Sequence, residues 1–89
     1  MIRWDPAKAQ TNWRKHSVRF SDAEIVLFDL HAITCLDETA EEEQRHVSIG
    51  SDSLGRILVV VFTYRGDDIR LISARRATPT ERRQYEEGI

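Results

Sequence analysis

The stretch Arg56-Ile57-Leu58-Val59-Val60-Val61-Phe62-Thr63-Tyr64-Arg65 is the most strongly strand-forming part of the chain. Its run of β-branched and aromatic residues is typical of a central strand that is covered on both faces. The residues that follow it, Gly66-Asp67-Asp68, suit a tight hairpin connection. They lead into a further strand over residues 69–76, so the sequence predicts an antiparallel hairpin at the centre of a sheet.

Two shorter strands are predicted before this hairpin. One covers residues 32–36, and the other covers residues 45–50, where Val47 and Ile49 alternate with polar residues as in a half-buried strand. We expect His46, on the polar side of that alternation, to be exposed.

Two helices are predicted before the strands. Asp5 can cap the first helix and Pro6 suits its first position, and the helix should end near His16. The second helix is predicted to begin at a capping box that Ser21 and Glu24 form at the required spacing.

One helix is predicted after the strands. Thr78 and Glu81 have capping-box spacing, which predicts a helix over residues 79–87. A short strand at residues 2–4 is expected to pair at a sheet edge. The order of elements indicates an α+β fold in a single domain, residues 1–89. In this fold two N-terminal helices pack on a mainly antiparallel sheet of about four strands, with a short C-terminal helix.

The composition is that of a small folded protein. The chain has 89 residues, of which 40% are hydrophobic and 31% are charged. We expect its one cysteine, Cys35, to be a small core residue. A single cysteine and the lack of an apolar signal-peptide core near Met1 favour the cytoplasm. The longest apolar run, residues 57–62, is too short to cross a membrane.

Charge is unevenly distributed along the chain, although the formal net charge is only −2. Residues 37–43 contain five carboxylates and no cation, whereas residues 65–83 contain six arginines against three carboxylates. Eleven of the thirteen cationic residues are arginine, whose planar guanidinium binds phosphate through two parallel hydrogen bonds. The arginine-rich part therefore favours a phosphate-bearing partner.

The sequence contains no motif for a metal or a cofactor. His16, His31 and His46 are scattered, and the lone cysteine gives no zinc-binding spacing. The glycines stand singly in turns and form no phosphate-binding loop. We therefore expect neither a metal nor a cofactor.

The arginines at the strand ends are the main candidates for chemistry. Strand alternation places Arg75 on one face with Leu71 and Ser73, and Arg76 on the other face. Arg65 closes the preceding strand, about 20 Å from the far end of the last one. Each of these arginines could instead be an exposed strand or helix-cap residue, and the sequence alone does not place Arg65 and Arg75 in one site.

Three parts of the chain resemble the BrnT family of type II toxins. These parts cover nearly the whole chain in the family's order, and the opening and closing motifs together are specific. The matching residues are Trp4-Asp5-Pro6-x-Lys8-Ala9-x-x-Asn12-x-x-Lys15-His16-x-Val18-x-Phe20, then Glu43-x-Arg45 and Ile49-Gly50 with Gly55-Arg56-Ile57-Leu58-Val59-Val60, and Ile72-Ser73-Ala74-Arg75-Arg76-Ala77 with Glu81-Arg82 and Tyr85.

The resemblance implies a RelE-like fold and a ribonuclease that stops translation. It also implies a BrnA-type ribbon-helix-helix antitoxin as partner, with RNA as substrate and operator DNA contacted only through the antitoxin. One position departs from the family pattern, because Ser17 stands where the family usually has glycine after Lys-His. Glycine suits a left-handed helix end, so Ser17 is expected to strain or alter that turn.

A metal-free ribonuclease needs an acid, a base and cations around the phosphate. We assign the cationic role to Arg75 and Arg76, with Arg65 as a further contributor. His16 is the best acid–base candidate because the pKa of histidine lies nearest neutrality. Lys15 would bind phosphate, or act as a base if its ammonium loses a proton. Two further residues are candidates for substrate binding, namely Tyr85, which can stack on a base or donate a proton, and Arg70.

Two other functions remain open from the sequence. The chain could be a non-catalytic binding module or a co-repressor subunit that acts only through its antitoxin. It could also be a protein-interaction domain in which the acidic residues 37–43 bind a basic partner.

Overall fold

The predicted hairpin is the centre of the sheet in the computed structural model, which describes residues 1–38 and 43–88. Arg65 pairs with Asp68, and Gly66 has the positive φ of 59° that a two-residue hairpin loop requires. The elements in chain order are β1 (Ile2–Arg3), α1 (Pro6–His16), α2 (Phe20–Val26), β2 (Ile33–Asp37), β3 (Arg45–Ser51), β4 (Ile57–Arg65), β5 (Asp68–Arg76) and α3 (Pro79–Glu87).

The strands form one mixed sheet in the order β1-β5-β4-β3-β2. β1 is the edge strand predicted near the N-terminus, and it pairs with β5 in parallel, with Ile2 opposite Ile69 and Arg3 opposite Arg70. All other neighbouring strands are antiparallel. The α+β class is confirmed, with five strands in place of about four.

The first and last helices begin and end where the sequence predicts. The Asp5 carboxylate accepts a hydrogen bond from the backbone N–H of Ala7 and caps α1. α1 ends at Ser17, which adopts the left-handed conformation (φ 55°, ψ 34°) that glycine would adopt without strain. Thr78 and Glu81 form the predicted capping box of α3.

The second helix begins two residues earlier than a cap at Ser21 predicts, so the Ser21–Glu24 capping box is wrong. α2 starts at Phe20, and the backbone carbonyl of Arg19 accepts the N–H groups of Asp22 and Ala23. Burial of the Phe20 ring, which is 2% exposed, sets this start because the ring must enter the core. Ser21 is therefore inside the helix and exposed.

The core lies between one face of the sheet and the two N-terminal helices. Burying each large apolar side chain contributes about 1.5–3 kcal/mol, so this layer holds α1 and α2 on the sheet. Its buried members are Val18, Phe20, Ala23, Val26, Leu58, Val60, Phe62, Leu71 and Ala74.

A bulge changes the alternation of β5. Phe62 pairs with Leu71 and Val61 pairs with Ser73, which leaves Ile72 as an extra residue. Leu71 and Ala74 therefore both face the helices. The prediction that Arg75 shares a face with Leu71 is wrong, although the separation of Arg75 from Arg76 holds.

The face of β3 that packs on the helices is the polar one. Ser48 and Gly50 are buried there, and the Ser48 hydroxyl is 2.7 Å from the Thr34 hydroxyl on β2. His46 is half-buried, not exposed as predicted, because its ring stacks on Phe62 with centroids 5.4 Å apart.

Two further expectations concern β2 and the segment after it. Cys35 is exposed, which corrects its assignment to the core, because β2 is an edge strand. The acidic loop predicted at residues 37–43 lies mainly outside the described residues, since residues 39–42 are not among them. In the described ranges no helix combines the length and the apolar character needed to cross a membrane.

Candidate functional site

A pocket of about 350 Å³ lies between α1 and the edge of β5. Three of its side chains are cationic or can become so, and no described carboxylate lines it. The lining residues are Ala7, Lys8, Thr11, Asn12, Lys15, His16, Ile72 and Ser73. A cationic pocket that is open to solvent suits an anionic group such as a phosphate.

Asn12 holds α1 against this edge of the sheet. Its side-chain amide donates to the backbone carbonyl of Ala74 at 2.8 Å and accepts from the Ala74 N–H at 2.9 Å. The same amide nitrogen donates to the carbonyl of Val18 at 2.9 Å. Asn12 is 5% exposed, so these bonds form away from water and fix the helix relative to β5.

Helical spacing places the two lysines on the pocket side of α1. Lys8 and Lys15 are seven residues apart, which is about two turns, so they project from the same side. Thr11 lies between them and donates its hydroxyl to the carbonyl of Ala7. Lys8 is a pocket residue that we did not predict from the sequence, although its seven-residue spacing to Lys15 was a usable signal.

Lys15 and His16 form the last positions of α1, and both are exposed. Cations near a helix C-terminus are stabilised by the helix dipole, so their presence alone does not require catalysis. Their significance comes from the pocket, because both line it together with Ser73 of β5. The structure thus brings together the predicted His16 and Lys15.

Arg75 lies on the other face of the sheet. It pairs with Val59 on the neighbouring strand β4. Its guanidinium donates two hydrogen bonds to the Glu81 carboxylate, at 2.7 and 2.9 Å. These bonds raise the pKa of Arg75 and lower the pKa of Glu81 to about 2. The charge of Arg75 is therefore matched by an acid of α3.

Arg76 faces a separate depression of about 250 Å³ at the end of the sheet, which Arg56 and Arg82 also line. Arg56 binds Asp52 and Asp22, whereas Arg82 binds Glu86. No ion pair joins Arg76 to a residue of the described ranges. The α3 carboxylates Glu81 and Glu86 pair with Arg75 and Arg82 instead.

Arg65 and Arg70 lie toward the opposite end of the hairpin. Arg65 pairs with Asp68 and contacts Glu43 at 3.4 Å. Arg65 lies seven positions along β4 from Leu58, the partner of Arg76, which corresponds to about 23 Å. Arg65 and Arg76 thus belong to different ends of the sheet, as the sequence suggested, and neither Arg65 nor Arg70 lines the pocket.

Tyr85 is buried, with 6% of its surface exposed. Its hydroxyl donates to the Asp29 carboxylate at 2.6 Å, and this bond raises the pKa of Tyr85 to about 12. Burial opposes ionisation of Asp29, but hydrogen bonds from the N–H groups of Ser51 and His31 and from Tyr85 outweigh it, so the pKa of Asp29 is lowered. A ring in this position is not free to stack on a nucleobase.

The donor chemistry around the pocket does not suggest a metal centre. Within the described parts of the chain, no three histidine, cysteine or carboxylate side chains converge in a way that could hold an ion. The lining contributes lysines, a histidine and hydroxyls, which favour an anion over a cation.

The fold and the pocket together define a small α+β protein with a cationic pocket at a sheet edge. Residues 4–81 match the family model described as ribonuclease toxin, BrnT, of type II toxin-antitoxin system. The chain therefore belongs to the BrnT family of ribonuclease toxins. No curated protein matches it.

A solved structure supports the same assignment. The chain is similar to the Brucella abortus ribonuclease toxin BrnT, with 31% sequence identity and a TM-score of 0.68. The similarity covers 86% of this chain and 95% of the Brucella chain.

Proposed function

We propose that the protein is a metal-independent endoribonuclease that inhibits translation and cuts RNA in the pocket between α1 and β5. The observation that carries this proposal is the grouping of Lys8, Lys15 and His16 around one pocket whose described lining contains no carboxylate. Membership of a ribonuclease toxin family supports RNA as the substrate.

The chemistry follows from what the pocket contains. In metal-free cleavage the 2′-oxygen of the substrate attacks the neighbouring phosphorus and the bond to the 5′-oxygen breaks. The 2′-hydroxyl loses its proton to a base, and the departing 5′-oxygen gains one from an acid. Positioned cations stabilise the extra negative charge on the phosphorus in the transition state.

We assign one of the two proton transfers to His16 and phosphate binding to Lys15 and Lys8. Lys15 is also the candidate for the second proton transfer. Arg76, which lacks a described ion-pair partner, is the better of the two strand-end arginines for contacting RNA. Arg75 would first have to leave Glu81, so its contribution is expected to be smaller.

The experiment is cleavage of a fluorescent oligoribonucleotide by purified variants in the presence of EDTA. His16→Ala and Lys15→Ala should lose at least about a hundred-fold in rate, which is typical for a general acid–base group. His31→Ala is the matched control, because His31 is an exposed histidine outside the pocket. Loss of wild-type activity in EDTA would contradict metal independence, and full activity of His16→Ala would contradict the site.

The products and the substrate give a second check. Cleavage through the 2′-oxygen leaves a cyclic phosphate, and a substrate with 2′-deoxyribose at the cleaved position should be inert. Addition of the protein to a cell-free translation system should stop synthesis, and His16→Ala should not.

We further propose that a BrnA-type ribbon-helix-helix antitoxin neutralises the protein in the cytoplasm, with operator DNA bound only through the antitoxin. Family membership in a type II toxin–antitoxin system supports an antitoxin partner. Expression of the protein alone should arrest bacterial growth, and co-expression with the antitoxin should restore it. Growth without arrest, together with operator binding of the complex, would instead indicate a co-repressor subunit.

A further inference from the structure

A second groove, of about 260 Å³, runs along the other side of α1. Trp13 lies about 140° around the helix from Lys8, so this groove and the cationic pocket flank the same helix. Trp13 is 46% exposed, whereas Phe20 at the base of the groove is buried. The groove therefore presents the exposed part of the Trp13 ring, which the core does not cover.

Arg19 completes this surface. Its guanidinium carbon lies 4.7 Å from the centre of the Trp13 ring, which is cation–π distance. No described carboxylate forms an ion pair with Arg19, so its charge is directed to solvent. Unpaired nucleobases stack on aromatic rings and on arginine planes of this kind.

The charge around the groove favours a polyanion. Residues 6–21 contain no acidic residue, and they contain Lys8, Arg14, Lys15 and Arg19, all of them exposed. Arg14 lies on the outer surface of α1 between the groove and the pocket. A helix is about 10–12 Å across, so a short single strand can lie in the pocket and reach the groove over Arg14.

We propose that Trp13 and Arg19 form a stacking site for an unpaired base of the RNA whose backbone occupies the pocket of Lys8, Lys15 and His16. This inference rests on the proposed function, because it takes RNA as the substrate. It adds a subsite that binds a base without reading its sequence, since every base has a face that can stack.

The test is binding of a 2′-O-methyl oligoribonucleotide, which cannot be cut. Binding is measured by the quenching of tryptophan fluorescence. A Trp4→Phe background leaves Trp13 as the reporter, and phenylalanine keeps the aromatic contact that Trp4 makes with Phe20. Trp13→Ala should weaken binding between about five- and a hundred-fold, which is the range for loss of one stacked base. Binding by this variant is measured by the fluorescence anisotropy of a labelled oligonucleotide.

The controls separate stacking from folding and from catalysis. Trp13→Phe should retain most of the binding, and Phe28→Ala should retain all of it, because Phe28 is exposed outside this surface. Circular dichroism checks that each variant is folded. The uncut oligonucleotide reports binding alone, and cleavage by His16→Ala is measured in a separate assay, so a failure of the catalytic assignment is visible separately from a failure of the stacking site.

Three outcomes would overturn the inference. The first is no binding by the wild-type protein, and the second is equal binding by Trp13→Ala and Phe28→Ala. The third is normal RNA binding by Trp13→Ala combined with loss of neutralisation by a co-expressed antitoxin, which would assign the groove to a protein partner.

Discussion

The side-chain amide of Asn12 bonds to both the N–H and the carbonyl of Ala74, in the way that a neighbouring strand would. β1 pairs with β5 at Ile69 and Arg70, so among residues 1–38 and 43–88 no strand pairs with β5 at Ala74 on that side. Asn12 supplies the missing donor and acceptor, and it does so from the helix that carries Lys15 and His16.

Replacing Asn12 by alanine should destabilise the protein by about 2–4 kcal/mol, because unpaired buried groups cost about 1–3 kcal/mol each. The measurement is urea denaturation. Gln10→Ala, an exposed change on the same helix, should stay within about 0.5 kcal/mol of wild type. Equal effects of the two changes would show that the Asn12 bonds contribute little.

The Arg75–Glu81 pair should make stability depend on pH in the acidic range. The pKa of Glu81 is about 2 in the folded protein, below its ordinary 4.5. The stabilisation of the folded protein by ionised Glu81 is therefore complete above that ordinary value and is lost as the pH falls toward 2. The shift sets an upper limit of about 3 kcal/mol, and solvent screening of the partly exposed pair reduces this to about 1–2 kcal/mol.

Glu81→Gln is the variant that tests this dependence. The variant should be less stable than wild type at neutral pH, and the difference in the free energy of unfolding should shrink as the pH is lowered. Urea denaturation at several pH values measures this difference. Glu86→Gln is the matched control, because Glu86 is a more exposed carboxylate on the same helix. A gap between Glu81→Gln and wild type that does not change with pH would argue against the ion pair as its source.

Ser17→Gly should stabilise the protein by about 0.5–1 kcal/mol. The left-handed conformation costs a residue other than glycine about 1–2 kcal/mol, and glycine removes this cost from the folded state. The greater conformational freedom of glycine in the unfolded chain offsets part of the gain. Ser21→Gly is the control, since Ser21 lies inside α2, where glycine should cost about 0.5 kcal/mol. Thermal or urea unfolding of both variants gives the comparison, and destabilisation by Ser17→Gly would contradict the expected relief of strain.

Tyr85→Phe should lose about 1–2 kcal/mol of stability, because it removes the hydrogen bond to the Asp29 carboxylate. The pKa of Tyr85 is raised to about 12 from 10.0, so this stabilisation is present below the ordinary value and is lost as the pH rises toward 12. Cleavage by the folded variant should equal that of wild type. A large fall in cleavage would instead indicate that the Tyr85 hydroxyl donates a proton to the substrate.

Much of the fold was predictable because local chemistry determines it. The apolar run before Gly66 and the caps at Asp5 and Thr78 each specify an element whatever surrounds them. The start of α2 was not predictable from its capping residues, because burial of Phe20 decides it. The bulge at Ile72 also escaped prediction, and one extra residue moved Leu71 to the other face from Arg75.

The candidate site was predictable in part. The resemblance directed attention to Lys15 and His16, and the structure places both at one pocket. The resemblance did not indicate that Arg75 binds Glu81, because that ion pair depends on the face of the sheet against which α3 starts. Lys8 was given no role, although its spacing places it on the same side of α1 as Lys15, because a lysine on an exposed helix face has no evident partner until the strand opposite it is known.

The length of β1 has a consequence for access to the pocket. A strand continued by three or four residues would run along β5 past Ile72 and Ser73 and would cover the floor of the pocket. The chain instead turns into α1 directly after Trp4 and Asp5, and Asn12 closes the sheet only at Ala74. The entrance to the pocket is thus a gap at the edge of the sheet, which lies between the end of β1 and the position where the Asn12 amide bonds to Ala74.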